Sequence, residues 1–172
     1  GSVTGLSTLS PEISGKQLEL LKEIVPQLYR VAVIGSSTDP STPQVLKETE
    51  LAAGALRVQL QYLDVLGPKD LETVFRAARK ERADTVLVLT SPVINSLRTQ
   101  FVELAAKSGL PAMYPFPEYV EAGGLMSYGP NYPGMFRHAA AYVDKVLRGA
   151  TPADLPVERP MTFDFVINIQ TA

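Results

Sequence analysis

The chain contains no cysteine and no tryptophan, and its one histidine is His138. The missing thiols exclude disulfides, thiolate metal sites and cysteine nucleophiles together. A lone histidine cannot build a multi-histidine zinc site. No stretch approaches the ~20 consecutive apolar residues that a membrane-spanning helix needs. Charge of one sign is missing too: 16 basic against 18 acidic side chains leave a formal net charge of −2. Nucleic-acid binding rests on clustered Lys/Arg–phosphate contacts, and no basic cluster interleaved with aromatics is present, so no nucleic-acid partner is expected. The first residues, Gly1-Ser2-Val3-Thr4-Gly5, are neither charged nor followed by an apolar core, so no signal peptide is read there.

What is present is an ordinary globular composition, 45% apolar and 20% charged. At 172 residues the chain can form one sizeable core, and a domain of this size buries roughly 70% of its unfolded surface.

Periodicity then gives alternating strands and helices. Leu18, Leu21, Ile24 and Val25 recur at helical spacing, with Ser10-Pro11-Glu12 as cap, first turn and acid, which predicts a helix over about 11–25 ending at Pro26. Arg30–Gly35 and Thr85–Leu89 are short β-branched runs of the kind buried on both faces of a parallel sheet. Val58–Val65 alternates Val58, Leu60 and Tyr62 with Gln59 and Gln61, the pattern of a more exposed strand. Helices are expected over about 43–55, 70–82 and 94–108, the last stopped by Gly109, and Pro111–Tyr114 is a short strand. The order β-α-β-α-β-α-β predicts an α/β three-layer sandwich: a mainly parallel sheet, helices on both faces, right-handed crossovers. Beyond it come a strand at 124–128, a helix at about 132–148, a proline-rich connection over 151–160 and a last strand over 162–169. The expected division is an α/β lobe over 1–123, then a crossing strand, helix and final strand over 124–172 that pack on another lobe or a second chain.

In an open parallel sheet ligands bind outside the carboxyl ends of the strands. Three exits qualify. Ser36-Ser37-Thr38 offers hydroxyls and amides beside a helix start, for a ligand or for capping the next helix. Ser91, before Pro92, either faces a ligand or caps the helix near Ile94. Tyr114-Pro115-Phe116-Pro117-Glu118-Tyr119 sets three aromatics between two prolines, a rigid wall for a planar or apolar ligand or a lid on the sheet end. The carboxylates near these exits are Asp39 and Glu118, which make no catalytic pair. His138 has no nucleophile nominated beside it, since no Gly-x-Ser-x-Gly is present. No enzyme activity, metal or cofactor is expected.

The tail carries a resemblance. Glu118 to Asn131 (EYVEAGGLMSYGPN), Ala140 to Ala150 (AAYVDKVLRGA), Pro152 to Glu158 (PADLPVE) and Phe165 to Asn168 (FVIN) resemble the substrate-binding proteins of ABC transporters of the tryptophan/tyrosine-type uptake group. Val3-Thr4-Gly5-Leu6-Ser7 and Gly15 to Glu23 are similar as well, so the likeness runs from about residue 3 to 172. The resemblance implies one lobe, the carboxyl-terminal one, of a type I periplasmic binding fold. A ligand would lie in the cleft between two lobes, and closure would be read by the transporter permease in a periplasmic or extracytoplasmic setting. The implied ligand is an amino acid or related small organic solute, aromatic ones included. The alternative is a ligand-sensing regulatory domain of the same fold. The site residues implied are Ser36, Ser37, Ser91, Pro92, Tyr114 and Phe116, with Tyr128 near the hinge. Where relatives tend to carry a Trp-Asn-Pro-like exit, this chain has Gly35-Ser36-Ser37-Thr38-Asp39-Pro40, a smaller wall that admits a different ligand. The apolar stripe Phe136, Ala140, Val143 and Leu147, after Gly129-Pro130 and Pro133-Gly134, suggests a homodimer or an exchange of the tail between chains.

Overall fold

Short β-branched runs separated by amphipathic segments of ten to fifteen residues leave the chain few choices, and the sheet follows from them. The computed structural model describes residues 3–8 and 10–172. The elements in order are α1 (Ser10–Ile24), β1 (Arg30–Gly35), α2 (Thr42–Leu56), β2 (Gln59–Asp64), α3 (Leu71–Lys80), β3 (Thr85–Val88), α4 (Pro92–Ser96), α5 (Arg98–Ser108), β4 (Ala112–Tyr114), α6 (Pro117–Glu121), β5 (Met126–Pro130), α7 (Tyr132–Leu147) and β6 (Phe163–Ile167). The capping side chains expected at Ser10 and Pro11, and the start Gly1-Ser2, lie outside what is described. Two spans differ from expectation. The helix expected over 94–108 is broken at Leu97, where ψ opens to 12° and the Leu97 amide bonds back only three residues to Ile94 O. The helix expected to reach residue 82 ends at Lys80, because Arg82 takes a left-handed φ of 57°.

The strand order is β2-β1-β3-β4-β5-β6. The pairs β1–β2, β1–β3, β3–β4 and β4–β5 are parallel. The chain forms two compact units, Ser10–Tyr128 with Phe165–Ala172, and the described residues of Gly1–Leu9 with Gly129–Asp164.

In the larger unit the sheet has helices on both faces. On one, α1 and α2 bury Leu18, Leu21, Val45 and Ala53 against Val31, Val33, Leu87 and Met113. On the other, α3, α4, α5 and α6 bury Phe75, Ile94, Phe101 and Tyr119 against Ile34, Val86, Val88 and Tyr114. Central β3 is buried at every position, whereas β2, at the edge, is half-exposed, as its alternating sequence requires. The second face holds a run of aromatic contacts. Phe75 and Phe101 meet edge to face at 5.0 Å, Phe101 and Tyr114 at 6.3 Å, and Tyr114 stacks on Tyr119 at 4.8 Å. Burial, with Tyr119 beside it, pushes the Tyr114 phenol above its ordinary range. Gly124 completes the stack: a Cβ there would lie 2.6 Å from Tyr114 Cε2 and 2.7 Å from Tyr119 O.

The smaller unit is organised by Glu158. Its backbone accepts from Ser7 N at 2.8 Å and donates to Gly5 O at 3.1 Å, so the extended segment after α7 pairs with the amino-terminal one. Its carboxylate receives His138 Nε2 at 2.7 Å and the Tyr142 hydroxyl at 2.6 Å, both from α7. Thr4 Oγ1 donates to Leu155 O at 2.7 Å alongside. At the start of α7, Asn131 Oδ1 accepts from Gly134 N and its amide donates to Asp164. The outer face of α7 exposes Phe136 (72%) and Leu147 (81%), and with Thr4, Gly5, Leu6 and Thr8 it lines an apolar groove of about 550 Å³.

Two expectations follow. Gly124→Ala has no room beside a stacked ring and a backbone carbonyl, so it destabilises the larger unit by about 1–3 kcal/mol in urea denaturation; an unchanged midpoint would mean the stack is not constrained there. The hydrogen bond from Tyr142, helped by His138 and Lys145 and opposed by desolvation, holds the Glu158 carboxyl below its ordinary value. A lowered folded value gives stability that is present above the ordinary glutamate range and lost as pH falls through the folded value. Amide protection at Ser7 and Glu158 therefore declines below about pH 4 in the wild type and is already low, without that step, in Glu158→Gln.

Candidate functional site

The order of the sheet fixes where a site can be. The chain leaves β1 through α2 on one face and returns as β2; it then crosses by α3 on the opposite face to β3, on the far side of β1. In open parallel sheets such a reversal is where a crevice forms outside the carboxyl ends of the strands, here those of β1 and β3. Ser36 follows β1 and Ser91 follows β3, so the reversal brings these two exits together.

The β1 exit is held closely by its own polar groups. Ser36 is fully buried; its hydroxyl is 2.8 Å from Thr38 Oγ1, and its carbonyl accepts from Thr42 Oγ1 at 2.8 Å and from Asp39 N at 3.1 Å. Asp39 Oδ1 accepts from the amide and hydroxyl of Ser41, closing the turn into α2. Ser37 is exposed, and both its amide and its hydroxyl donate to Asp64 at 2.7 Å. The two serine hydroxyls expected to meet a ligand are thus engaged within the loop and its neighbour strand; Ser37, which donates to Asp64, keeps only acceptor capacity, while in the Ser36–Thr38 pair either hydroxyl can be the donor.

Asp64 is the residue that the sequence reading passed over. It ends β2 directly beside Gly35 in the register. The Tyr62 hydroxyl reaches it at 3.1 Å. Tyr62 can lie there because position 35 has no side chain: a Cβ on Gly35 would sit 3.0 Å from Tyr62 Cε2 and 3.2 Å from Leu89 Cδ1. Burial first, then the bond to Asp64, pushes the Tyr62 phenol up to about 12. For Asp64, desolvation opposes ionisation, but the donors on Ser37, Tyr62 and the Val65 amide outweigh it and the carboxyl lies below its ordinary value. The signal was there: Leu60, Tyr62 and Asp64 share one face of an alternating strand, and a carboxylate stands where the pattern calls for an apolar residue.

The β3 exit is different. Ser91 is 3% exposed and stands at the N-cap of α4, yet its hydroxyl makes no capping bond and has no hydrogen-bond partner among the described residues. Pro92, the first residue of α4, is exposed beside it.

At the β4 exit the three aromatics separate. Tyr114 is 1% exposed, enclosed by Phe101, Tyr119 and Gly124, so its ring belongs to the core. Tyr119 is buried as well. Phe116, half-buried and 6.5 Å from the Tyr119 ring, is the aromatic left at the surface of this exit. Tyr128, half-buried on β5, meets Phe165 edge to face at 6.4 Å, and its carbonyl accepts from Gln17 Nε2 at 2.7 Å.

Known proteins can now be set beside this geometry. A family model described as ABC transporter substrate binding protein matches residues 1–172. The crystal structure of a conserved domain protein from Vibrio cholerae is 27% identical with a TM-score of 0.88, over 99% of this chain and 56% of that one. That of an ABC domain in complex with L-Trp from Streptococcus pneumonia is 25% identical with a TM-score of 0.86, over 99% of this chain and 58% of that one. A LacI family transcriptional regulator from Bifidobacterium animalis subsp. lactis shares the fold at 13% identity and a TM-score of 0.76, over 95% of this chain and 62% of its own. No curated protein is significantly similar to the chain. The chain therefore spans somewhat more than half the length of the structures it matches. With the whole of its length matched and its mainly parallel α/β sheet shared, the chain belongs to the family of ABC transporter substrate binding proteins and has the fold of a type I periplasmic binding lobe.

Proposed function

We propose that the chain forms one wall of a cleft that binds an amino acid or related small organic solute, aromatic ones included, for an ABC import system. The observation that carries this reading is the Ser91 hydroxyl, buried and unpartnered at the point where the sheet order reverses. A buried polar group left without a hydrogen bond costs stability, about 1–3 kcal/mol, and calls for a partner. A solute in the crevice supplies one. Ser36 and Ser37 then add acceptors and shape, Pro92 and Phe116 apolar walls, and Tyr128 a boundary on the β5 side, while Tyr114 acts by holding the exit in place. The similarity to a relative crystallised with L-Trp supports an amino-acid ligand. The longer chains of both relatives supply room for the opposite wall. Closure of that cleft would be read by a permease on the extracytoplasmic side of the membrane. The LacI neighbour favours a second reading, a sensor domain of the same fold whose occupancy is passed to a regulatory partner.

The hydroxyl gives a test with two opposite signs. Ser91→Ala removes an unpartnered buried group, so the unliganded chain is as stable as wild type or more so in thermal unfolding. The same variant binds its amino acid about three- to tenfold more weakly by calorimetry, the worth of one hydrogen bond. Lower stability without ligand, or unchanged affinity, removes Ser91 from the site. With one wall only, the chain by itself binds more weakly than micromolar.

α7 exposes Phe136, Val143 and Leu147, and contiguous exposed apolar side chains mark interaction surfaces. In solutions of this chain alone we expect a second copy to cover it, by a dimer or a tail exchange. Light scattering then gives a mass near twice 18.6 kDa at tens of micromolar; the single-chain mass refutes it.

A further inference from the structure

We infer that Asp64 is the charged acceptor of the site and selects solutes that carry an ammonium or similar amine cation. This rests on the solute-binding reading above and narrows it.

Several acidic side chains of the chain have a basic partner: Glu19 has Lys16, Glu81 has Arg30, Asp144 has Arg148 and Glu158 has His138. Asp64 is held by neutral groups, the Ser37 amide and hydroxyl at 2.7 Å and the Tyr62 hydroxyl at 3.1 Å. Among the described residues no lysine, arginine or histidine lies within ion-pair distance of it. The carboxylate is half-buried, and its charge is met by dipoles alone, with no cation beside it.

Donors from two different segments grip Asp64, Ser37 from the β1 exit and Tyr62 from β2, and the Tyr62 ring is wedged over Gly35. A carboxylate accepts about four hydrogen bonds; Oδ1 has two donors and Oδ2 one, and the Val65 amide is shared with Gly35 O at 2.9 Å, so the position that remains is on Oδ2. Asp39 differs: its contacts close its own turn through Ser41. Glu118 differs as well, being exposed on α6.

Asp64 pairs with Gly35, the last residue of β1, one strand from the order reversal and on the crevice side of the sheet. The donor set also separates an amine from a metal ion. Calcium and magnesium take six or more oxygens, several of them carboxylate, and no group of three acidic, histidine or cysteine side chains stands together among the described residues. An ammonium needs one carboxylate and brings three donors.

The experiment is a ¹⁵N NMR titration of the 172-residue chain, whose millimolar reach suits a single wall. The probes are L-tryptophan, tryptamine (no carboxylate) and indole-3-propionate (no amine), with L-leucine and 4-methylpentanoate as an aliphatic pair. The expected result is that amine-bearing probes shift the Ser37 and Val65 amides and bind at least tenfold tighter than their amine-free counterparts. Asp64→Asn should weaken the amine-bearing probes about ten- to a hundredfold and erase that preference. Glu118→Gln, which removes a charge from the exposed face of α6, should keep it. Amine-free probes binding as tightly in the wild type, or a preference that survives Asp64→Asn, overturns the inference and leaves solute binding standing. Loss of all probes equally in Asp64→Asn assigns Asp64 to holding the loop and also overturns it. Silence from every probe in the wild type removes the solute-binding reading, and the inference with it.

Discussion

The reversal of strand order between β1 and β3 is the constraint on which the rest depends. Parallel strands joined by right-handed crossovers must place the α2 and α3 connections on opposite faces once the chain turns back past β1. Neither helix can then cover the carboxyl ends of β1 and β3, and both exits must satisfy their backbone groups by other means. The two solve this differently. The β1 exit ties itself with Ser36, Asp39, Ser41 and Thr42 and borrows Asp64 from the next strand. The β3 exit moves straight into α4 behind Pro92 and leaves Ser91 with a hydroxyl that nothing answers. One exit is rigid and the other is incomplete, the combination a binding wall needs: fixed geometry beside an open valence.

Much of the fold was legible. The buried strands announced themselves by β-branched runs, and the edge strand by alternation, because burial on one or two faces is written directly into residue choice. Helix ends were less legible. Arg82 closes α3 in a left-handed conformation that a sequence suggests only when glycine stands there, and the Leu97 break leaves no propensity signal at all. The site was half legible. Positions at the exits could be named, but not which hydroxyl was free. Ser36 and Ser91 look alike in sequence, and only the surrounding loop decides that one is bonded and the other not. Tyr114 and Phe116 were likewise equal as aromatics, until Gly124 admits one ring to the core and the α6 turn leaves the other outside. Asp64 was hidden because an acid at the end of an edge strand reads as an ordinary solvated residue. Its role depends on Gly35, a residue 29 positions earlier that lets Tyr62 cross to it.

The smaller unit rests on a similar device. Glu158 joins an extended segment to residues 5–7 through its backbone and to α7 through its side chain. Half-exposed ion pairs contribute little by themselves. The weight falls instead on the Tyr142 hydroxyl, which must satisfy Glu158 and the Pro156 carbonyl at 2.8 Å with one proton. This unit has few buried side chains of its own, Tyr142 among them, and its apolar residues are largely exposed. Polar ties therefore decide its conformation, and its apolar face remains for whatever covers it.

Asp64 and Ser91 share a physical logic. Each is a polar group whose cost is incurred on folding and whose full return is absent from the unliganded chain: one lacks a countercharge, the other a hydrogen-bond partner. Replacing Ser91 by an apolar residue of similar size would satisfy the fold better, whereas Asp64 is held by its donors and lacks only the countercharge. Groups that a fold holds at a loss are those that a ligand can reward, because binding then gains the interaction without the cost of arranging it. Charge at β2 and an open hydroxyl at β3 lie on opposite sides of β1, so a solute spanning that strand's exit would meet both. The small Gly35-Ser36-Ser37 exit adds no large side chain of its own to that span, and the space over Gly35 is taken by the Tyr62 ring that reaches Asp64.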